Sequence, residues 1–401
     1  MQVYLPFYDK HLFVEKNAKN CIFFQNILQC TNIIMLSNPE IHNLTELALV
    51  DHPLTNEQAS KILSSDWDLL SLVHAAYAVR QKYWDNTITV HIINNAANGF
   101  CPEDCKYCAQ AKTSKADIEE YPIKSDDEFL AEAKNAYEKG AHRYCMVFAG
   151  RGPSTRRTER LANLIRKIKE KYPIEVCVSA GLLDEEKAKT LKEAGLDRLN
   201  HNLNTSEKHY DKICTTHTFQ DRMSTLLAAR KAGLQLCSGL IVGMNESIQD
   251  IIEVAFTARS MKIESIPVNF FIPILGNTVE KPSTLTPEFC IRVLCLFRFL
   301  NPQAEIRIAA GRELHLRSLE VLALYPANSL FLEGYLNTRG SDRFRTLKMI
   351  KDAGFKIKSD FDAEEILAKE EAKPNSSNAT DQFSNVIMKN LQDLRPYQKS
   401  T

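Results

Sequence analysis

The sequence predicts an α/β protein whose main domain is a closed (β/α)8 TIM barrel, with an N-terminal helical extension and a disordered C-terminal tail. Three observations support this fold. Short β-branched or apolar runs alternate eight times with helical patterns over about 260 residues, the usual size of such a barrel. A helix is followed by a glycine and then a strand at Gly140, Gly195 and Gly233. Strict alternation implies parallel strands joined by right-handed crossovers.

Two helices precede the first strand. The first begins at a capping-box pattern, Thr55 with Gln58, and the second spans about 66–83. The eight predicted strands are 87–93, 142–147, 174–179, 197–201, 234–241, 266–271, 305–309 and 329–332. The helices that follow them are 125–140, 158–171, 184–194, 218–232, 247–260, 287–300, 313–324 and 341–353. Ser125 with Glu128 forms a second capping box, at the start of the first of these helices.

The chain divides into three predicted parts. Residues 1–50 form an N-terminal extension of uncertain order, and 51–360 form the barrel domain with its N-terminal helices. Residues 361–401 are expected to be disordered because they are first charged and then rich in Asn and Ser. An open, doubly wound sheet is the alternative to the barrel, since strands and helices alternate in both.

The composition excludes several classes of protein. The 401 residues include 50 Lys and Arg and 50 Asp and Glu, and no basic stripe that would follow nucleic acid is present. No apolar run is long enough for a transmembrane helix, and the features of a signal peptide are missing. Eleven cysteines without the spacing of secreted proteins indicate a reducing compartment. We therefore expect a cytoplasmic protein that binds neither nucleic acid nor a membrane.

Three cysteines, Cys101, Cys105 and Cys108, follow the first predicted strand in the spacing C-x3-C-x2-C, with Tyr107 before the last. Four-iron clusters usually take four thiolates, so a run of three leaves one iron open for a non-protein ligand. This is the pattern of the radical S-adenosylmethionine (SAM) enzymes. In a barrel, the loop after a strand lies at the C-terminal face, where active sites are built. A closed zinc site is the weaker alternative, because no second Cys or His pair lies close in the sequence.

Three further cysteines and one arginine fall in four other predicted strands. Cys145, Cys177 and Cys237 lie in the second, third and fifth strands, and Arg307 lies in the seventh. Residues on a barrel strand alternate between inside and outside, so these side chains can converge in the interior and form a second metal site. Each cysteine alone is equally well explained as a small buried hydrophobe. The arginine would more commonly pair with a carboxylate such as Glu305 or Glu175.

The chain from about 96 to 354 resembles the biotin synthase family of radical SAM enzymes. The segments that carry the resemblance are NGFCPEDCKYCAQ, HRYCM, EVCVSAG, LNHNLNTS, CTTHTFQDR, LCSGLIVGMNES, IPVNFF and IRIAAGRE. The resemblance implies a 4Fe–4S cluster on Cys101, Cys105 and Cys108 and a 2Fe–2S cluster on Cys145, Cys177, Cys237 and Arg307. It implies SAM contacts from Tyr107, Asn202, Asn204, Arg222, Gly239 and Ile241, and substrate contacts from Asn202 and Asn269. No catalytic side chain is expected beyond the cluster ligands.

One position departs from the family pattern. Asn204 stands where the family usually has an aspartate that contacts the ribose hydroxyls of SAM. An amide keeps an acceptor oxygen but loses the charge, and charge-assisted hydrogen bonds are about twice as strong as neutral ones. The substitution therefore predicts weaker SAM binding, or a subfamily whose second cluster differs. The remaining cysteines considered, Cys214, Cys290 and Cys295, are assigned to packing.

The resemblance implies that the chain converts dethiobiotin to biotin and that the 2Fe–2S cluster donates the sulfur. It also implies a flavodoxin- or ferredoxin-type electron donor, iron–sulfur assembly proteins and a homodimer. A different radical SAM enzyme on the same scaffold, such as a metallocofactor maturase, is the alternative function. A zinc-binding scaffold without catalysis is a third possibility, from another class of protein.

Overall fold

A computed structural model describes residues 38–64, 66–279, 282–371 and 388–398. The strands are β1 (Thr87–Ala97), β2 (Arg143–Phe148), β3 (Glu175–Ser179), β4 (Arg198–Asn200), β5 (Gln235–Cys237), β6 (Leu240–Val242), β7 (Ser265–Phe270), β8 (Glu305–Ile308), β9 (Ser329–Phe331) and β10 (Lys356–Ile357). The first helices are α1 (Pro39–Leu49), α2 (Asn56–Leu63), α3 (Leu69–Trp84), α4 (Asp126–Glu138), α5 (Thr155–Lys171), α6 (Glu185–Glu193), α7 (Glu207–Tyr210) and α8 (Phe219–Lys231). They are followed by α9 (Ile248–Ser260), α10 (Pro287–Leu300), α11 (Arg312–Leu316), a 3-10 helix (Arg317–Leu324), α12 (Arg343–Asp352), α13 (Ala363–Glu371) and α14 (Leu391–Leu394). In this described part of the chain, no helix has the length and apolar character needed to cross a membrane.

The strands form a closed parallel barrel. Pairing runs from β1 through β2, β3, β4, β5, β7 and β8 to β9, and β9 pairs back with β1. β5 pairs with β4, and β5 and β6 both pair with β7, so these two short strands together fill the fifth position of the barrel. The predicted (β/α)8 barrel is confirmed, and the open-sheet alternative is wrong.

The fifth barrel strand is interrupted where the sequence predicts one continuous strand over 234–241. Pro267 of β7 lies opposite the interruption and has no N–H group to donate to the strand ladder. Gly239 approaches Pro267 so closely that a Cβ atom at position 239 would lie 1.9 Å from the Pro267 carbonyl oxygen. A proline on one strand and the close backbone approach on the other therefore divide this position into β5 and β6.

The two predicted capping boxes begin α2 and α4. Thr55 and Gln58 exchange hydrogen bonds of 3.2 and 2.8 Å, and Ser125 and Glu128 exchange bonds of 3.3 and 2.9 Å. Each pair satisfies two N–H groups that the first turn of a helix cannot bond internally. The single helix predicted over 313–324 is instead α11 followed by the 3-10 helix.

Helices lie in the N-terminal extension, whose order the sequence left open, and in the tail that was predicted to be disordered. Within the predicted extension, α1 buries Ile41 and Leu44, which lie on one face of the helix three residues apart. Within the predicted tail, α13 buries Ile366 and Leu367. For the tail, the sequence reasoning weighed the charges and missed these two apolar positions, which pack in the hydrophobic core. The predictions for 1–37, 372–387 and 399–401 lie outside the described residues.

The segment 388–398 also corrects the prediction of a disordered tail, because it lies against the barrel. Met388 forms an antiparallel bridge with Thr338, in the loop after β9. Arg395 donates to the two carboxylate oxygens of Glu128 at 2.9 and 2.7 Å. These contacts attach the end of the chain to α4 and to a loop that lines the central cavity.

Replacing Arg395 with alanine should loosen this segment. Arg395 and Glu128 are 14% and 4% exposed, so their ion pair is shielded, and its loss should cost about 1–2 kcal/mol. Hydrogen–deuterium exchange should become faster in 388–398 and in the loop at 335–339. Gln392→Ala, an exposed position of the same segment, is the control, and equal exchange in the two variants would contradict the assigned role.

Candidate active site

A cavity of about 370 Å³ lies at the carboxyl ends of the barrel strands. The predicted site residues that line it are Cys101, Cys105, Tyr107, Cys108, Cys145, Cys177, Asn202, Asn204, Arg222, Cys237, Ile241, Asn269 and Arg307. Gly239 does not line the cavity, but its N–H donates to Asn202 Oδ1 at 3.1 Å and its carbonyl accepts from the Asn204 N–H at 2.9 Å, and both of these residues line it. The structure therefore brings together side chains from most of the barrel, which the sequence places up to about 200 residues apart.

The loop of three cysteines begins with a turn that only a few residue types adopt easily. Gly99 and Phe100 both have positive φ angles, 79° and 52°, directly before Cys101. The Cys108 N–H then donates to the Cys105 carbonyl at 3.0 Å, which folds the C-x2-C part of the loop into a turn. Cys105 is 8% exposed and the other two are partly exposed, and all three border the same cavity.

A second polar group lies beside Cys105 and was missed by the sequence reasoning. The Cys214 sulfur lies 3.7 Å from the Cys105 sulfur and 3.4 Å from His217 Nδ1, and the three residues hold ligand-type atoms within 4.8 Å of one another. The hydrogen bond with Cys105 lowers the pKa of Cys214 to about 4, against the opposing effect of burial. Cys214 is 2% exposed and part of the hydrophobic core, as its assignment to packing predicts, and it contacts these polar groups as well. Cys290 and Cys295, assigned likewise, are fully buried on α10.

Two acidic residues of the cysteine loop hold this second group in place. Asp104 accepts hydrogen bonds from the N–H groups of Thr215 and Thr216 at 2.9 and 3.1 Å, and Glu103 contacts His217 Nδ1 at 2.5 Å. Burial alone would raise the pKa of Asp104, but these donors keep it well below its usual value. The ionised carboxylate thus ties the cysteine loop to the segment between α7 and α8.

Arg222 is the central cation of the upper cavity. Its Nη1 donates to the Asn202 carbonyl at 2.7 Å, its Nη2 lies 3.3 Å from the Tyr107 hydroxyl, and its Nε contacts the Tyr210 hydroxyl. Asn204 Nδ2 donates to the same Tyr107 hydroxyl at 2.6 Å. Burial opposes the charge, but Tyr107 and Tyr210 raise the pKa of Arg222 above its ordinary value. A fixed guanidinium of this kind suits a carboxylate ligand.

Side-chain amides join neighbouring strand ends in the cavity wall. Asn202 Oδ1 accepts from the Gly239 N–H at 3.1 Å, and beside it the backbone carbonyl of Asn204 accepts from the Ile241 N–H at 2.9 Å. Asn269 donates to the backbone of β6 at 2.9 Å and accepts from the loop after β8 at 3.2 Å. An amide that both donates and accepts can hold two backbones and still offer its remaining sites to a ligand.

The strand cysteines converge in the barrel interior. Cys145 and Cys177 are directly paired across β2 and β3, and both pack in one buried cluster with Cys237. All three are at most 5% exposed. Arg307 Nη1 lies 3.8 Å from the Cys237 sulfur. The hydrogen bond from Cys177, and then the charge of Arg307, lower the pKa of Cys237 well below its usual value although burial opposes this.

The carboxylate partner of Arg307 is Glu305, one of the two carboxylates that the sequence offered. Arg307 Nη2 donates to Glu305, whereas Glu175 accepts from Arg143 Nε at 3.0 Å. Burial disfavours the charge of Glu305, but Arg143 and Arg307 hold its pKa well below the ordinary value. The arginine is thus both paired with a carboxylate and placed beside the cysteines, so the two readings of Arg307 are compatible.

Known proteins share this sequence pattern. Residues 97–258 match the model of the Radical SAM superfamily, and 267–356 match that of the Biotin and Thiamin Synthesis associated domain. A biotin synthase from Acaryochloris marina is 59% identical over 290 residues, or 72% of this chain and 84% of the relative. The chain belongs to the biotin synthase family. Biotin synthases from Leptospira interrogans serovar Lai and Bacillus amyloliquefaciens are 54% and 43% identical, over 75% and 79% of this chain and 86% and 94% of theirs.

Solved structures show that the barrel extends beyond the biotin synthase family. Methylornithine synthase matches with a TM-score of 0.68 at 20% identity, covering 81% of this chain and 99% of its own. The FeFe-hydrogenase maturase HydG from Carboxydothermus hydrogenoformans matches with a TM-score of 0.69 at 17% identity, covering 86% and 85%. At such identities the likeness shows only the fold, so it does not favour the maturase alternative.

Proposed function

We propose that this chain converts dethiobiotin to biotin by radical SAM-dependent insertion of sulfur. The observation that carries the proposal is that the loop cysteines and the strand cysteines border one cavity. A reaction that generates a radical at one group and takes sulfur from another needs both within a single chamber. That chamber must also exclude water and other molecules with which the radical could react.

The two sets of donors fit two different clusters. Cys101, Cys105 and Cys108 would hold a 4Fe–4S cluster and leave one iron for SAM. The three strand cysteines would hold a 2Fe–2S cluster together with Arg307, whose Nη1 faces sulfur while Nε and Nη2 contact oxygen. When bound, the first cluster supplies the electron that splits SAM into methionine and a deoxyadenosyl radical, and the second supplies the sulfur.

The remaining cavity residues would bind and orient the two substrates. Arg222 would pair with the carboxylate of SAM, because its described partners are hydroxyl and carbonyl oxygens and His217 Nε2, and no carboxylate is among them. Ile241 would pack on the adenine, and Gly239 would allow the close backbone approach behind it. Asn202 and Asn269 would hold the ureido ring of dethiobiotin, since an amide can donate to its carbonyl and accept from its N–H.

Replacing Asn204 with aspartate should strengthen SAM binding. Asn204 donates to Tyr107 at 2.6 Å, and an aspartate could instead accept from the Tyr107 hydroxyl while its charge strengthens bonds to ribose hydroxyls. The Kd for SAM, measured by anaerobic equilibrium dialysis, should fall about fivefold, or roughly 1 kcal/mol. Asn204→Ala should raise the Kd. A higher Kd in Asn204→Asp than in the parent would contradict the assigned ribose contact.

The partners of the chain are also proposals. A flavodoxin- or ferredoxin-type protein would supply electrons, and iron–sulfur assembly proteins would rebuild the second cluster after each turnover. The nine described cysteines are all free, which supports a reducing, cytoplasmic location. The active form would be a homodimer. Light scattering at twice the mass of one chain would support the dimer, and a stable monomer with full activity would contradict it.

The decisive experiment incubates the reconstituted protein with dethiobiotin, SAM and a reductant without oxygen. Mass spectrometry should detect biotin, and omission of SAM should abolish it. Iron and sulfide analysis of the same sample should show both clusters. A sample that carries both clusters and forms no biotin would overturn the proposal, and colourless protein with stoichiometric zinc would support the zinc scaffold instead.

A further inference from the structure

One buried carboxylate, Glu305, is hydrogen-bonded to three arginines beneath the strand cysteines. Glu305 is 2% exposed. It accepts hydrogen bonds from Arg143 Nη1 at 3.2 Å, from Arg198 Nη1 at 3.0 Å and from Arg307 Nη2. Three guanidinium groups so close together repel one another, and the carboxylate between them is the group that makes their arrangement stable.

Smaller polar groups complete the shell around Glu305. The hydroxyls of Ser265 and Ser329 donate to its Oε1, each at 3.1 Å, and His91 Nε2 lies 3.2 Å from the same oxygen. Both serines also accept from Arg307: Nε donates to Ser329 at 3.1 Å, and Nη2 donates to Ser265 at 3.0 Å. The carboxylate and the arginine therefore share the same two hydroxyls.

The bonds of Arg307 divide its nitrogens into two groups. Nε and Nη2 are bound to oxygen on the side of Glu305, whereas Nη1 lies towards the Cys237 sulfur at 3.8 Å. Glu305 and Arg307 are two residues apart on β8, so both side chains point to the interior. A planar guanidinium held along one edge cannot rotate without breaking these bonds.

We infer that Glu305 is a positioning residue, which holds Arg307 so that Nη1 is presented to the auxiliary cluster. This inference rests on the proposed function, because the auxiliary cluster is part of it. Glu305 would not touch the cluster or the substrate. It would act through Arg307, by fixing the edge of the guanidinium that faces away from the cysteines and by balancing the charges of Arg143 and Arg198.

Glu175 offers a matched control within the same network. It is 37% exposed on its side chain and pairs with Arg143, as Glu305 does, and its His142 contact is 3.5 Å long. Its described contacts do not include Arg307. The change Glu175→Gln therefore removes a carboxylate from the arginine cluster and leaves the bonds of Arg307 in place. The change Glu305→Gln removes a carboxylate from the cluster and also alters the bonds of Arg307.

The test compares the full-length parent, Glu305→Gln and Glu175→Gln after anaerobic reconstitution with iron and sulfide. In Glu305→Gln, the affinity for the auxiliary cluster should be about 10-fold lower than in the parent. It is measured by challenge with an iron chelator, with visible absorption and sulfide content as the readouts. Its four-iron cluster, followed by electron paramagnetic resonance after reduction, should match the parent. Glu175→Gln should match the parent in both clusters.

The outcomes separate this inference from the function on which it rests. A parent protein that never acquires an auxiliary cluster would overturn the proposed function and the inference together. A parent with both clusters and a Glu305→Gln variant that retains them equally would overturn the inference alone. If Glu305→Gln fails to fold, Ser329→Ala removes one bond of Arg307 and keeps the carboxylate. Its auxiliary cluster should then show a shifted absorption spectrum, and an unchanged spectrum would count against the inference.

Discussion

The change Cys177→Ala should abolish biotin formation and leave SAM-dependent release of 5′-deoxyadenosine. Cys177 is the middle member of the strand cysteines, paired with Cys145 across β2 and β3 and packed in one cluster with Cys237. Its loss removes one ligand of the proposed sulfur-donating cluster but no part of the cysteine loop. The side chain is 2% exposed, and replacing a thiol with a methyl group leaves only a small void, so the barrel should still fold. Mass spectrometry of both products in one reaction measures the two effects.

Two further variants define what this result means. Cys105→Ala removes a loop ligand and should abolish both products, because no radical can then form. Cys290 lies on α10 outside the cavity lining, so the variant Cys290→Ala should form both products at the parental ratio. If Cys177→Ala formed biotin at the parental rate, the strand cysteines would not hold the sulfur donor. This result would contradict the proposed function.

Local patterns explain why so much of this arrangement could be predicted. Capping boxes and glycines after helices act over a few residues, so the order of strands and helices follows from the sequence itself. Once the barrel is accepted, the position of a residue on a strand or in the following loop fixes the end of the barrel to which it belongs. This is why Cys101, in a loop, and Cys145, in a strand, could both be placed near one cavity.

The contacts between distant loops could not be predicted in this way. Cys214 approaches Cys105 because Asp104 binds the N–H groups of Thr215 and Thr216, and no local pattern marks a carboxylate for backbone groups 111 and 112 residues away. The interruption of the fifth strand has the same character, because it depends on a proline of a neighbouring strand. The sequence offered Glu305 as one possible partner of Arg307, but only the folded barrel shows that the same carboxylate also binds Arg143 and Arg198.

The largest loss of stability is expected from Arg298→Met, at the opposite end of the barrel from the cavity. Arg298 lies on α10 and is 0% exposed. Its guanidinium donates to the carbonyls of Pro326, Pro302 and Ala304 at 2.8, 2.8 and 3.0 Å and to Asn328 Oδ1 at 2.7 Å. One side chain therefore joins a helix to the segments that lead into β8 and β9.

Methionine fills much of the same space but offers no donor, so four buried oxygens would lose their partner. Each unsatisfied acceptor costs roughly 1–3 kcal/mol, and partial relaxation should leave a net loss of about 3–5 kcal/mol. Thermal unfolding followed by circular dichroism should show a markedly lower Tm. Arg166→Met, at an exposed position of α5, should stay within about 0.5 kcal/mol of the parent. Equal melting of the two variants would mean that water replaces the guanidinium at these oxygens, and that the base of the barrel does not depend on Arg298.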